Sequence, residues 1–193
     1  MKSPYILPFT LALAACSGAD SNAPTETSTV ASEPTGPESE AAPMAGTPAT
    51  PVDAASYISK AGAGDLWEIE SSNALLAKST NAEVKAFAQM MIDHHGKSTA
   101  QVKAAAGEAQ MTVSPPNLDA EQRTMLAEIK AAEATTIDAI YLSHQKNAHE
   151  AALALHQGFA ASGDTAPLKK SARDIVPVIE THRTELAKLT PAR

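Results

Sequence analysis

Apolar and small residues recur every three or four positions from Asp53 to the end of the chain. This spacing lines up the apolar positions along one face of an α-helix, because a helix completes a turn in about 3.6 residues. No stretch shows the alternation with a period of two that is typical of a half-buried strand. The pattern therefore predicts an all-α fold over residues 53–193.

The breaks and capping residues divide this region into four helical segments. They are predicted to run over about 53–79, 81–109, 119–161 and 166–189. Asn81 is a suitable N-cap, Pro115 and Pro116 end the second segment, and Gly163 is expected to be a left-handed cap residue. The third segment is long, and an internal break in it is left open. Four amphipathic helices with short connections are predicted to form a four-helix bundle.

The N-terminus has the features of an export signal. Lys2 precedes a short apolar stretch that is interrupted by a proline and is far shorter than the roughly 20 residues needed to span a bilayer. The following run Leu13-Ala14-Ala15-Cys16 resembles the lipobox of bacterial lipoprotein signal peptides. This resemblance implies cleavage before Cys16 and a lipid anchor on its sulfur; the alternative is an ordinary secretory signal. Ser17, in place of an aspartate retention signal, favours the outer membrane, with the protein facing the periplasm.

Residues 17–52 have the composition of a tether. They contain six of the 13 prolines, five acidic residues and no Lys or Arg. Such a segment buries too little apolar surface to offset its conformational entropy, so we expect it to be disordered. The predicted organisation is a signal peptide over 1–15, the lipidated cysteine and tether over 16–52, and the bundle over 53–193.

Charge and composition exclude several functions. The net charge of −7 argues against a nucleic-acid partner, and the single cysteine excludes a disulfide framework and any multi-cysteine metal site. The chain has no glycine-rich phosphate loop, no Gly-x-Ser-x-Gly motif and no paired Glu-x-x-His motifs of the di-iron type. No catalytic residue and no organic cofactor are therefore predicted, and enzymatic activity is left open but disfavoured.

One titratable residue interrupts an apolar stripe of each predicted helix. These four residues are Glu68, His94, His149 and His182. An isolated buried charge is costly, so such groups have to pair, lose their charge or bind a ligand. Imidazole and carboxylate groups suit zinc, iron or copper, and helical bundles build metal sites from facing helices. The pattern predicts a transition-metal site.

Neighbouring residues leave alternatives open. Asp93 is about 100° from His94 around the helix and either completes the site from its flank or faces solvent. His95 lies on a secondary stripe, so the choice between His94 and His95 as the inward residue is undecided. His144 and His156 are expected at the periphery. We call Glu68, His94, His149 and His182 the seam residues. A buried Glu–His hydrogen-bond network without metal would also satisfy the polar atoms of the four seam residues.

The order of several motifs resembles the domain of unknown function 4142 family. The matching stretches are Ala-Gly-Ala-Gly-Asp-Leu-Trp-Glu at 61–68, the run from Val84 to His94, Tyr141 with His149, and Val176-Pro177 with His182. The resemblance covers nearly all of 53–193 and departs mildly at Ile137, where the family usually has Phe. It implies an exported bacterial protein with a ferritin-like helical fold, and it implies no established activity. Its matching polar positions are again Glu68, His94, His149 and His182.

Two functional hypotheses follow. In the first, an envelope lipoprotein anchored through Cys16 binds zinc, iron or copper in its bundle through the four seam residues, with Asp93 as a candidate at the flank. In the second, the protein is a non-enzymatic envelope or stress-related interaction module, and the same residues form a structural polar network.

Overall fold

The computed structural model describes residues 53–189, and within this range it contains five α-helices and no strand. The helices are α1 (Ala54–Leu76), α2 (Ala82–Glu108), α3 (Ala120–Ala131), α4 (Ile137–Ser162) and α5 (Ala166–Leu186). The predicted all-α fold is confirmed. The predicted signal peptide, Cys16 and the tether lie outside the described residues. In the described part of the chain, no helix has the length and apolar character required to cross a membrane.

The third predicted segment is two helices. α3 ends at Ala131, its C-cap residue Ala132 has an extended backbone (φ −62°, ψ 144°), and α4 begins after Thr136. The ammonium group of Lys78, which follows α1, donates hydrogen bonds to the carbonyl oxygens of Lys130 and Ala132 at 2.7 and 2.8 Å. The last carbonyls of a helix have no partner within the helix, so this tertiary contact stabilises the break.

The predicted start of the second helix agrees with the structure, but the predicted role of Gly163 is wrong. The side chain of Asn81 accepts hydrogen bonds from the backbone N–H groups of Glu83 and Val84 at 3.0 and 3.3 Å. Gly163 has φ −59°, and no glycine within 53–189 has a positive φ. A Cβ at this position would lie 2.6 Å from the carbonyl oxygen of Phe159, so close approach to Phe159 requires the glycine.

The four long helices form the bundle. α1 packs on α2, α4 packs on α5, and contacts of α2 with α5 and of α1 with α4 close the arrangement, while α3 lies against α1 and α4. The apolar residues form two clusters. The first cluster includes Trp67, Leu75, Phe87, Met91, Ile129, Ile137 and Tyr141. The second cluster includes Tyr57, Val102, Phe159, Leu168, Ile175 and Ile179.

Buried polar side chains occur where the helices pass from one apolar cluster to the other. We call these side chains the polar layer. They are Asp65, Glu68, His95, Gln145, His149 and His182, and each is at most 8% exposed. Large apolar groups on both sides keep water away from the layer, so its polar atoms have to find partners within the protein or bind a ligand.

Candidate metal centre

All four long helices contribute to the polar layer. α1 contributes Asp65 and Glu68, α2 contributes His95, α4 contributes Gln145 and His149, and α5 contributes His182. The two residues from α1 are three positions apart, and the two from α4 are four positions apart. Both spacings place side chains on the same face of a helix, so each pair points into the bundle together.

Three histidines form the centre of the layer. His95, His149 and His182 each have one ring nitrogen within 4.8 Å of the nitrogens offered by the other two. The ring centroids are 6.1 Å apart for His95 and His149, 5.4 Å for His95 and His182, and 5.3 Å for His149 and His182. The rings are 8%, 1% and 1% exposed in chain order, so the centre is closed to bulk water.

Hydrogen bonds fix the orientation of two of these rings. The Nδ1–H of His95 donates to Oδ1 of Asp65 at 2.8 Å, and Oδ2 of the same carboxylate accepts from the hydroxyl of Thr99 at 2.9 Å. The Nδ1–H of His149 donates to the backbone carbonyl of Gln145 at 2.8 Å. A carbonyl oxygen only accepts, so the hydrogen of neutral His149 is on Nδ1, and its Nε2 has a lone pair that can accept a hydrogen bond or bind an ion.

His182 lies between two imidazoles. Its Nδ1 is 3.2 Å from Nε2 of His149, and its Nε2 is 2.8 Å from Nδ1 of His94. The pKa of His182 is lowered to about 2 by burial and by the neighbouring histidines His95, His149 and His94. The ring is therefore neutral at physiological pH. Its Nδ1–H then donates to His149, and the Nδ1–H of His94 donates to Nε2 of His182.

Two carboxylates give the layer its negative charge. Oε2 of Glu68 accepts from the side-chain amide of Gln145 at 2.6 Å, and Oε1 is 3.6 Å from Nδ1 of His149. Burial alone would lower the pKa of His95, but the hydrogen bond to Asp65 and the charges of Glu68 and Asp65 outweigh it and raise this pKa above its ordinary value. The carboxylates therefore favour a positive charge at this position, which a proton on His95 or a bound cation supplies.

The structure brings three of the four seam residues together and places the fourth at the edge. His149 and His182 are in the centre, and Glu68 lies beside it on the Nδ1 side of His149. His94 is only partly buried, stacks on His182 with centroids 5.1 Å apart, and is outside the three-histidine group. The carboxylate of Asp93 is exposed and accepts from Gln89 at 3.1 Å, so it faces solvent rather than flanking the histidines.

His95, not His94, is the contribution of α2 to the centre. His95 follows Val84 by 11 residues and precedes Val102 by seven, so it lies nearly in line with both buried valines. His94 lies about 80° from the line through Val84. The buried apolar residues before and after the two histidines in the sequence therefore identify His95, rather than His94, as the inward residue.

Other polar residues differ from expectation. Asp65 and Gln145 were not predicted as site residues, although Asp65 is three positions before Glu68 and shares its face. His156 lies outside the three-histidine group, as expected, but it is buried: it is 4% exposed, and its Nδ1 is 2.9 Å from the hydroxyl of Tyr57. His144 lies nearer the surface, with its Nε2 2.8 Å from the carboxylate of an exposed glutamate on α3.

Comparisons with known proteins indicate a family and a fold. A family model described as "Domain of unknown function (DUF4142)" matches residues 39–189. No curated protein matches the chain. Among solved structures, the chain is similar to a DUF305 fragment from Deinococcus radiodurans, with a TM-score of 0.60 and 18% identity over 74% of this chain and 100% of that fragment. The structural similarity shows a shared helical fold.

The buried histidines make stability depend on pH. The pKa of His156 is lowered from 6.5 to about 4, chiefly by burial; the charge of Asp65 opposes this shift, and His95 adds to it. As the pH falls from 6.5 towards 4, the unfolded chain binds a proton at His156 while the folded protein does not. The free energy of unfolding of the metal-free protein should therefore decrease, by up to about 1.4 kcal/mol per pH unit for this residue.

Urea unfolding over this pH range, with a chelator present, measures the effect. In the His156→Asn variant the free energy of unfolding should depend less steeply on pH, by roughly 1 kcal/mol per unit. Equal slopes for the variant and the wild type would contradict the assignment of a neutral, buried His156.

Proposed function

The chain belongs to the DUF4142 family, and for this member we propose that the bundle binds one transition-metal ion through His95, His149 and His182. The observation that carries the proposal is the convergence of three buried imidazole nitrogens within 4.8 Å of one another. Two nitrogens bound to one ion lie at most about 4 Å apart, since metal–nitrogen bonds are about 2 Å long, so small movements of the side chains would bring all three onto a common ion.

Each of the three histidines has an inner nitrogen, which faces the centre, and an outer nitrogen, which points away from it. The partners of the outer nitrogens support this proposal. Histidines that bind metals usually donate their other N–H to a carboxylate, a carbonyl or a similar group, which fixes the tautomer and the ring orientation. His95 donates to Asp65, and His149 donates to a backbone carbonyl. The outer nitrogen of His182 faces His94 at 2.8 Å. Each ring is thus held from outside, and its other nitrogen points into the centre, where those of His149 and His182 share a hydrogen bond that an ion would replace.

The unpartnered nitrogen of His95 favours a metal site over a purely structural network. Among the described residues, Nε2 of His95 is buried and has no hydrogen-bond partner. A buried polar atom without a partner costs about 1–3 kcal/mol, and coordination to an ion would remove this cost. The structural network remains the second candidate, because hydrogen bonds already connect the other members of the polar layer.

The ligand types suggest which ion is bound. Imidazole nitrogens suit zinc, copper and iron, whereas magnesium and calcium prefer oxygen ligands. The buried carboxylates of Asp65 and Glu68 offset the charge of a divalent ion. We propose zinc as the first candidate, because three histidines commonly hold zinc and leave a fourth position open.

Metal analysis tests the proposal. The purified full-length protein, reconstituted separately with zinc, copper and iron, should retain one equivalent of at least one of these metals. Alanine at His95, His149 or His182 should lower the affinity more than 100-fold, while Asp65→Asn should lower it by about 10–100-fold because it only orients His95.

The matched control is His144→Ala. This substitution removes a histidine of α4 that pairs with Glu128 near the surface, and metal binding should be unchanged. If the wild-type protein retains no stoichiometric metal in any of the three reconstitutions, the metal function is wrong and the structural network is the better account.

We further propose that the protein is a lipoprotein of the bacterial envelope, anchored through Cys16 and facing the periplasm from the outer membrane. The lipobox-like run before Cys16 supports this location, and Cys16 is the single cysteine of the chain. Several acyl chains on one residue would give stable anchoring. The tether would then separate the metal-binding bundle from the membrane.

Fractionation of cells tests the anchor. The wild-type protein should be recovered with membranes, and Cys16→Ala should be recovered in the soluble periplasmic fraction. The matched control Ser17→Ala should remain with membranes. Membrane recovery of Cys16→Ala equal to that of the wild type would contradict lipidation.

A further inference from the structure

A closed metal centre requires a route for the ion. The three rings of the centre are at most 8% exposed, and both apolar clusters cover the layer along the bundle axis. An ion has to lose its water before it reaches them, and this step is easier where a protein ligand replaces the water near the surface. A partly exposed ligand in direct contact with the centre would provide this replacement.

His94 meets this requirement. It is partly exposed, its Nδ1 is 2.8 Å from Nε2 of His182, and the two rings stack at an interplanar angle of 21°. His182 therefore presents one nitrogen to the inner histidines and the other to a histidine at the surface. Two adjacent imidazole nitrogens are a suitable pair of ligands for a zinc-type ion.

We propose that His94 and His182 form an outer binding station through which the ion enters and leaves the three-histidine centre. The proposal depends on the metal function of the centre. An ion is first held between Nδ1 of His94 and Nε2 of His182, in place of the hydrogen bond that joins them, and the hydrogen on Nδ1 of His94 leaves to the solvent that this ring contacts. The ion then passes from Nε2 to Nδ1 of His182 and so reaches the inner nitrogens, while the hydrogen on Nδ1 of His182 is replaced by one on Nε2. His94 is thus a transfer ligand, and the affinity of the resting site depends on the inner three histidines.

The surface around His94 permits this role. The pKa of His94 is lowered by burial, by Lys97 one turn further along α2 and by His95, while Asp93 on the exposed side opposes this shift. The carboxylate of Asp93 is bonded to Gln89, so Nδ1 of His94 remains directed at His182. The station is therefore accessible from solvent and is not blocked by a salt bridge to His94 among the described residues.

A cavity on the other side of α2 is the competing route. It has a volume of about 220 Å³, lies between α1, α2 and residues 112–116, and reaches Asp65 and Thr99. Both oxygens of Asp65 already accept hydrogen bonds, from His95 and Thr99. Among the described residues, no histidine lines this cavity. The ion would therefore find no free nitrogen ligand there, and we favour the His94 route.

Metal exchange kinetics test the proposal. Zinc uptake, and zinc release to an excess of a chromophoric chelator, are followed by stopped flow in the purified full-length protein. His94→Phe keeps an aromatic ring for stacking and removes both nitrogens. Uptake and release should both slow by about tenfold or more, which is a rise of about 1.4 kcal/mol in each barrier. The dissociation constant should change by less than about threefold, because an entry ligand alters both rates together.

Three further variants separate the alternatives. His94→Asn, which restores a polar side chain near the position of Nδ1, should recover part of the rate. His144→Phe should exchange zinc as the wild type does. Ser59→Leu, which narrows the mouth of the cavity, should also exchange at the wild-type rate.

The outcomes that overturn the proposal are distinct. Unchanged rates in His94→Phe, or slow exchange in Ser59→Leu with normal exchange in His94→Phe, would show that the ion takes another route. Faster release with unchanged uptake would mean that His94 only supports His182. Stoichiometric zinc in the wild type together with any of these results would overturn the outer station alone, whereas absence of zinc would overturn the metal function as well.

Discussion

The burial of two carboxylates and three imidazoles in the middle of an apolar bundle is the constraint on which the rest of the structure depends. Each of these groups would be costly there without a partner, and their partners come from different helices. Asp65 of α1 bonds to His95 of α2, and Gln145 of α4 bonds to Glu68 of α1. A shift of one helix by a turn would break these pairs. The polar layer therefore fixes the register of the helices, while the two apolar clusters supply the driving force for their association.

The same hydrogen bonds prepare the centre for a ligand. The outer nitrogens of His95, His149 and His182 are each occupied by a group from outside the centre, which leaves the inner nitrogens close together. Without an ion, His182 donates to His149, and Nε2 of His95 has no partner within the described residues. The negative charge of Asp65 and Glu68 favours a cation here. Orientation, charge and the unpartnered nitrogen thus point to the same chemistry.

The sequence predicted much of this arrangement because helical periodicity is a local property. It placed Glu68, His149 and His182 on buried faces, and it identified Asn81 as an N-cap. The predicted role of Gly163 was wrong for a local reason, its close approach to Phe159 four residues earlier. What the sequence did not settle otherwise depends on contacts between distant residues. The internal break that was left open in the third segment is stabilised by Lys78, which follows α1. His156 is buried because α4 brings it to Tyr57 of α1. The choice between His94 and His95 needed the full length of the buried face of α2, which no short window contains.

The tautomers of the histidines test the central claim most directly. Long-range ¹H–¹⁵N NMR spectra of the side chains, recorded without metal and with one equivalent of zinc, report which nitrogen of each ring has a hydrogen or binds the ion. Without metal, His149 and His182 should both have hydrogen on Nδ1. With zinc, the ion should shift Nε2 of His95 and His149 and Nδ1 of His182, and the hydrogen of His182 should move to Nε2. Zinc-induced shifts on the opposite nitrogens, or no shifts at all, would contradict the account.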